Sequence, residues 1–336
     1  MTTLYFNSDI PSYNDFNQTG SLDFVNYIPL WKMEPFTLHI LGAGSALPTL
    51  RHSPSCQALS IRGKLFIVDC GEGCQLSLRR SRLSIARIQA IFISHMHGDH
   101  VFGLPGLLST LALLGRKGAL SVFGPKGIKR YLDDMGRIFW PDMPYPIEVY
   151  EHNAEESSVI YDDRSLRVST LPLIHRLPTT GYLFEEKCAP RHLNKAAADF
   201  YCVPIADYPD ILNGAPFTAQ DGTIIPNSRL TKPGYTPRRY AYVSDTALNK
   251  KLISLLKGVD LLYHEATYMQ QDAARATETA HSTSEDAATI ACEAAVGKLL
   301  LGHYSARYDD HAPLLEEARR IFPNSQLTSE GDVIEL

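Results

Sequence analysis

The chain has 336 residues, 44% of them hydrophobic and 21% charged, so it can bury a sizeable core and global disorder is excluded. A formal charge of −5 excludes a polybasic protein that holds nucleic acid by bulk attraction, although a local basic groove survives such averaging. The six cysteines form no C-x-x-C pair in a chain too large to need staples, which fits reduced thiols in a cytoplasm.

The first 32 residues are rich in Asn, Asp, Ser and Tyr, with no basic or apolar region of a signal peptide. Met33 precedes the first good strand, so residues 1–32 read as a loose extension and 33–336 as the folded domain. From Phe36 short apolar runs alternate with amphipathic stretches, the rhythm of α/β architecture. Strands are predicted at Phe36–Leu41, Ser55–Ile61, Leu65–Asp69 and Ala90–Ser94, with a tight turn at Arg62–Lys64 and a helix at Glu72–Ser81. The run Leu104–Leu114 contains Pro105 and Gly106 and is far shorter than the roughly 20 residues of a membrane span, so it reads as a helix. Further strands are predicted at Leu120–Phe123, Ser165–Ile174, Arg239–Ser244, Asp260–His264 and Lys298–Gly302, and helices at Asn249–Lys257, Ser284–Ala294 and Pro313–Ile321.

Between about 184 and 238 this rhythm stops, and Pro190, Pro204, Pro209, Pro216, Pro226, Pro233 and Pro237 are scattered through the stretch. That is too long for an ordinary connection in a compact domain and reads as an inserted arm. Lying between His175 and Asp245, it is expected to have both ends beside those residues. Its prolines and polar turns give it little means of building a core of its own.

The strongest chemical signal is His95-Met96-His97-Gly98-Asp99-His100, directly after the strand AIFIS. Side chains there emerge at the carboxyl end of a sheet, where open α/β sheets place their sites. Imidazole nitrogen and carboxylate oxygen together suit borderline-soft divalent metals, and four such groups within six residues can serve two adjacent ions. Three more candidates stand just after apolar strands: His175 after LRVSTLPLI, Asp245 after YAYVS and His303 after KLLLG. Taken singly, a strand-end His or Asp of this kind is more often a hydrogen-bonded turn residue. Together they complete a ligand set of the expected size, with Asp245 the bridging carboxylate.

These residues, with the turn Asp69-Cys70-Gly71-Glu72-Gly73, resemble the five-motif pattern of metallo-β-lactamase-fold hydrolases. GAGSALPTLR at 42–51, FGLPGLLST at 102–110, FGPKGI at 123–128, HEAT at 264–267, HST at 281–283 and GHYSARY at 302–308 resemble the ribonuclease Z family in particular. The resemblance implies an αββα sandwich, two mixed sheets flanked by helices, and a zinc phosphodiesterase that removes the 3′ trailer from precursor tRNA. It implies that His95, His97 and His175 hold one zinc, that Asp99, His100 and His303 hold a second, and that Asp245 bridges them. Asp69 is implied as a structural carboxylate behind the ligands. Asp99, Glu265 and His281 are implied as catalytic, the last two as the pair that neutralises the leaving 3′-oxygen. A cytoplasmic homodimer without membrane attachment is also implied. Two departures stand out: Ser244 precedes Asp245 where the family has Gly, and the arm lacks the family's Gly-Pro pair, reading Val203-Pro204-Ile205-Ala206 instead. The alternative is a generic metallo-β-lactamase-fold phosphodiesterase acting on small phosphodiesters or other RNA, which would share the metal residues but have no reason to carry HEAT and HST.

Overall fold

The computed structural model describes residues 35–187, 191–234 and 236–336; the extension read at 1–32 lies outside them. Strands β1 (Phe36–Gly42), β2 (Cys56–Ile61), β3 (Lys64–Val68), β4 (Ile88–Phe92), β5 (Leu120–Pro125) and β6 (Ile147–His152) are interleaved with helices α1 (Cys74–Arg80), α2 (Gly98–Val101), α3 (Leu104–Leu113) and α4 (Ile128–Phe139). Side-chain alternation decides what each strand touches. In β3, Phe66 and Val68 join one apolar cluster with Tyr182 and Phe184, while Leu65 and Ile67 join another with Leu104, Leu107 and Leu111 of α3. The β2–β3 turn has left-handed φ at both Arg62 (49°) and Gly63 (77°), the mirror-image turn that matches strand twist.

The chain continues through β7 (Val159–Asp162), β8 (Leu166–Pro172) and β9 (Thr180–Glu186) into the arm. The arm holds β10 (His192–Leu193), α5 (Lys195–Phe200), α6 (Tyr208–Leu212), β11 (Phe217–Thr218), β12 (Ile224–Ile225), α7 (Asn227–Leu230) and β13 (Thr231–Lys232). Then follow β14 (Arg239–Val243), α8 (Leu252–Leu255), β15 (Leu261–Glu265), α9 (Ala273–Thr279), α10 (Ser284–Glu293), β16 (Lys298–Gly302), α11 (Ala312–Ile321), β17 (Ser325–Leu327) and β18 (Val333–Glu335). Two seven-stranded sheets result, ordered β18-β1-β2-β3-β4-β5-β6 and β17-β16-β15-β14-β9-β8-β7. Strands β3 to β6 run parallel, as do β14 to β17. This is the expected sandwich.

The arm departs from expectation twice. Strand β9 carries the chain back across the sheet after His175, pairing Arg239 with Glu185 and Tyr242 with Tyr182. The excursion therefore begins and ends at the far end of β14 from Asp245, about 20 Å away at the strand rise of about 3.3 Å per residue. The sequence conceals β9 because six of its seven residues are buried, leaving little alternation to read. At this root Glu186 and Arg238 form a buried two-pronged ion pair, with contacts of 2.7 and 2.9 Å. The arm also has a small core after all: Ala198, Val203, Ile211, Ile225 and Leu230 are buried together. Helices α5, α6 and α7 and strand β12 contribute one of these residues each, and Val203 comes from the turn after α5, a spacing too sparse to show as periodicity.

Candidate metal centre

All but one of the residues singled out for chemistry lie at the carboxyl ends of strands, the exception being His281 in the turn between α9 and α10. His95, His97, Asp99 and His100 follow β4, His175 follows β8, Asp245 follows β14, Glu265 ends β15 and His303 follows β16. Asp69, Asp245 and His303, each just past a strand, adopt left-handed φ of 58°, 57° and 59°. Non-glycine residues visit that region uncommonly, and it turns these three side chains sharply off their strands. The two halves of the fold are tied together at this edge, where Tyr304 N–H donates to the Ala43 carbonyl and Ser45 N–H to the Tyr304 carbonyl.

The structure brings the sequence candidates together. Donor atoms of His95, His97, His175 and Asp245 all lie within 4.8 Å of one another, as do those of Asp99, His100 and His303. Asp245 faces both sets. Its Oδ1 is 3.8 Å from His95 Nε2, and its Oδ2 is 3.3 Å from Nε2 of both His100 and His303. The Nε2 atoms of His100, His175 and His303 are buried and make no hydrogen bond. Their Nδ1 atoms are engaged: His100 with Asp69 Oδ2 (2.8 Å), His175 with the Ala280 carbonyl (2.9 Å) and His303 with Thr267 Oγ1 (2.9 Å). Such contacts fix the tautomer and leave the Nε2 lone pairs aimed at one another, an arrangement costly without a cation and well fitted to one.

Asp69 carries the support on one side. Its carboxylate accepts from the Ser94 backbone N–H (2.7 Å), the Ser94 hydroxyl (2.8 Å) and the Tyr242 hydroxyl (2.7 Å) besides meeting His100. The Ser244 hydroxyl donates to Asp245 Oδ2 at 2.8 Å. Burial pushes the His95 imidazole well below its ordinary value, and it lowers His175 as well. Burial alone would raise Asp245, but the imidazoles of His303, His100 and His95 hold it well below the usual carboxylate range.

Glu265 and His281 stand beside the cluster. Glu265 Oε1 meets His281 Nδ1 at 2.9 Å and accepts from Thr246 N–H at 2.6 Å, while Oε2 accepts from the Thr267 hydroxyl. Burial works against a charged His281, yet the adjacent Glu265 carboxylate and its hydrogen bond outweigh it and push the imidazole up to about 9. The ring of His281 lies 5.0 Å from that of His175 and 5.4 Å from that of His303. A cavity of about 470 Å³ opens over His97, Asp99, His175, Asp245, His281 and His303. Sequence reasoning gave no role to Thr267, Ser94 or Tyr242, which hydrogen-bond to His303 or to Asp69 behind the clustered imidazoles. The first lies inside the quoted HEAT motif; the other two carry only the signal of a hydroxyl on a strand entering the site.

Solved structures share this architecture. Human tRNase Z, short form, superposes with a TM-score of 0.65 at 26% identity, over 89% of this chain and 98% of that one. The metallo-β-lactamase fold protein YhfI from Bacillus subtilis gives 0.63 at 18%, over 90% of this chain and 100% of its own. Residues 36–132 match the family model described as Anti-Pycsar protein Apyc1, well short of half the chain. Fold and site together define a protein of the metallo-β-lactamase fold with a divalent metal centre. Ribonuclease Z of Porphyromonas gingivalis is 52% identical over 304 residues, 90% of this chain and all of that protein, and ribonuclease Z of Bacteroides fragilis is 49% identical over the same length. The chain belongs to the ribonuclease Z family. With that membership the hydrolytic endoribonuclease of tRNA 3′ processing expected from the sequence is borne out.

Proposed function

We propose that the chain cuts precursor tRNA at the 3′ trailer with two zinc ions. His95, His97 and His175 would hold one ion, Asp99, His100 and His303 the other, and Asp245 would bridge them. The observation that carries this reading is the double facing of Asp245, one oxygen toward His95 and the other toward His100 and His303. When bound, two divalent ions lower the pKa of water toward neutrality and neutralise charge on the attacking and leaving oxygens. Asp99, on the cavity wall, orients the attacking water and takes its proton. Water oxygen bonds to phosphorus as the bond to the 3′-oxygen breaks, and His281 gives that oxygen a proton while Glu265 balances the imidazolium. The products are a tRNA with a 3′-hydroxyl and a trailer with a 5′-phosphate.

The arm grips the body of tRNA at a distance from the cut, through Lys187, Arg191, Lys195, Arg229 and Lys232. The enzyme works as a cytoplasmic homodimer. Free thiols at Cys56, Cys70, Cys74, Cys202 and Cys292 support a reducing compartment, and no helix among the described residues is long and apolar enough to cross a membrane. Exposed Leu76, Leu113, Ile138 and Phe139 on α1, α3 and α4 support a self-association surface. The test is incubation of purified protein with a tRNA precursor bearing a trailer, followed by mapping of both new ends. A trailer released with a 5′-hydroxyl, or no cut at the 3′ boundary, would refute the reading.

A further inference from the structure

Phe102 stands at the mouth of the metal cavity with its ring largely in the open, 67% exposed, on the lining that also holds His97, Gly98 and Asp99. Large apolar side chains bury themselves where they can. Here the neighbouring backbone instead fixes the ring outward. A Cβ built on Gly98 would come within 2.2 to 2.8 Å of three Phe102 ring atoms, so one part of the ring rests against the bare Gly98 backbone. Gly98 is the glycine of the HMHGDH segment itself, and the ring is therefore anchored to the loop that carries four of the proposed ligands. Tyr268 on the same lining is only 6% exposed, and the histidine rings there belong to the proposed metal set and the Glu265 pair, so Phe102 offers the accessible ring. The remaining lining is mostly polar, with Ser45, Arg176, Thr279 and Ser305.

We propose that Phe102 is the platform of a nucleobase subsite, stacking the base of the first trailer nucleotide, the one that retains the phosphate. The assignment rests on the endoribonuclease reading above. A ring held from below and open above suits stacking by any base, because every base has a π-face, and trailers need no fixed sequence to be held this way. The side follows from chain topology. His281, which serves the leaving 3′-oxygen, belongs to the rim made by the second sheet's loops, so the nucleotide ending in that oxygen lies there. Phe102 belongs to the rim made by the loop after β4, which leaves it the nucleotide on the other side of the phosphate. Phe102 is thus a binding residue that orients the phosphodiester.

The experiment uses the metal-loaded enzyme, a precursor tRNA with a one-base abasic site at the first trailer position, and a second precursor abasic at the last tRNA position. On normal substrate Phe102→Ala should raise KM by about 5- to 150-fold, the range of one base–aromatic stack, with kcat far less affected. Phe102→Trp should restore binding, and 2-aminopurine at the first trailer position should be quenched by wild type and Phe102→Trp but not by Phe102→Ala. Removing the first trailer base should erase the difference between wild type and Phe102→Ala. The subsite is wrong if that difference persists on this abasic substrate, or if it vanishes instead on the substrate abasic at the last tRNA position. Unchanged KM together with loss of the dimer would make Phe102 an interface residue and also overturn it. Wild type that does not cut the normal precursor would instead bring down the ribonuclease reading, and the subsite with it.

Discussion

At the metal pocket, seven side chains from four loops meet within a few ångströms, and nearly every one is held by a second group behind it. His100 leans on Asp69, His175 on the Ala280 carbonyl and His303 on Thr267. In the arm, five buried residues hold three short helices together, and the cations lie at the surface in loose pairs such as Lys195 with Asp199, whose side chains are 65% and 60% exposed. Exposed pairs of that kind contribute little to stability and exchange readily for other anions. The pocket is over-determined and the arm is not. The arm's root, moreover, lies at the opposite end of β14 from Asp245. Chemistry and substrate grip should therefore fail separately.

The largest separation should come from Asp245→Ala. It should remove at least one ion and abolish hydrolysis of even a nitrophenyl phosphodiester, while salt-dependent affinity for tRNA persists through the arm. Metal analysis and a binding titration check this together, and fully active wild type with one tightly held ion would sink the two-metal scheme. Next comes His281→Ala, which should keep full metal content and lose about 10²–10⁴ in turnover on RNA, the range for a general acid or base. The loss should shrink on a nitrophenyl ester, whose leaving group needs little protonation. An equal loss on both substrates would reassign His281 and Glu265 to structure.

How much of this was legible in the sequence follows the same division. The candidate ligands were readable because His95, His175, Asp245 and His303 stand one to three residues past apolar strands, and HMHGDH groups three more with His95 in six residues. Strand β16 was readable to the residue, at Lys298–Gly302. Strand β6 was not, because its exposed, charged face reads as loop, and β9 was missed for the opposite reason, burial on nearly all sides. Helix α4 has amphipathic spacing, but the Gly-Pro turn of FGPKGI that runs into it carries the stronger local signal. The supporting hydroxyls of Ser94, Tyr242 and Thr267 could not be found from spacing at all. Their partners come from distant strands, as when Tyr242 reaches Asp69 across 173 positions.

Replacement of residues 188–237 by a short Gly-Ser linker is the matching test on the arm. Glu186 N–H already donates to the Arg238 carbonyl at 3.0 Å, so a tight turn can close the gap without disturbing β9 or β14. Metal content and nitrophenyl ester hydrolysis should stay nearly intact, while KM for precursor tRNA rises strongly and the salt dependence of binding flattens. If the shortened protein processes precursor as well as the full chain, the arm does not grip RNA.

Within the pocket, Thr267→Val should weaken the metal set by about 10–100-fold, the range for groups that orient a ligand from behind. The hydroxyl has one proton, which goes to Glu265 Oε2, so its lone pair is left for His303 Nδ1–H. Thr267→Ser should preserve the affinity measured by chelator competition, and a valine variant with unchanged affinity would show that His303 needs no such support.

The smallest effect tests whether the arm's core matters. Leu230 is fully buried there, among residues from α5, α6 and β12. Truncation of a buried leucine removes about 2–5 kcal/mol where packing is tight, and a five-residue core should lie at the low end because its neighbours can collapse into the space. The Asn194 carbonyl accepts from Ala198 N–H, and Asn194 N–H donates to the Leu230 carbonyl at 2.8 Å, so the loss should loosen α5 and β10 together. Leu230→Ala should therefore speed limited proteolysis between 191 and 234 and raise KM for precursor tRNA severalfold. Metal content, the global unfolding midpoint and nitrophenyl ester turnover should hold. A drop in the global midpoint matching the local loss would mean that arm and sandwich unfold as one unit, and the separation of grip from chemistry would then extend to function but not to folding.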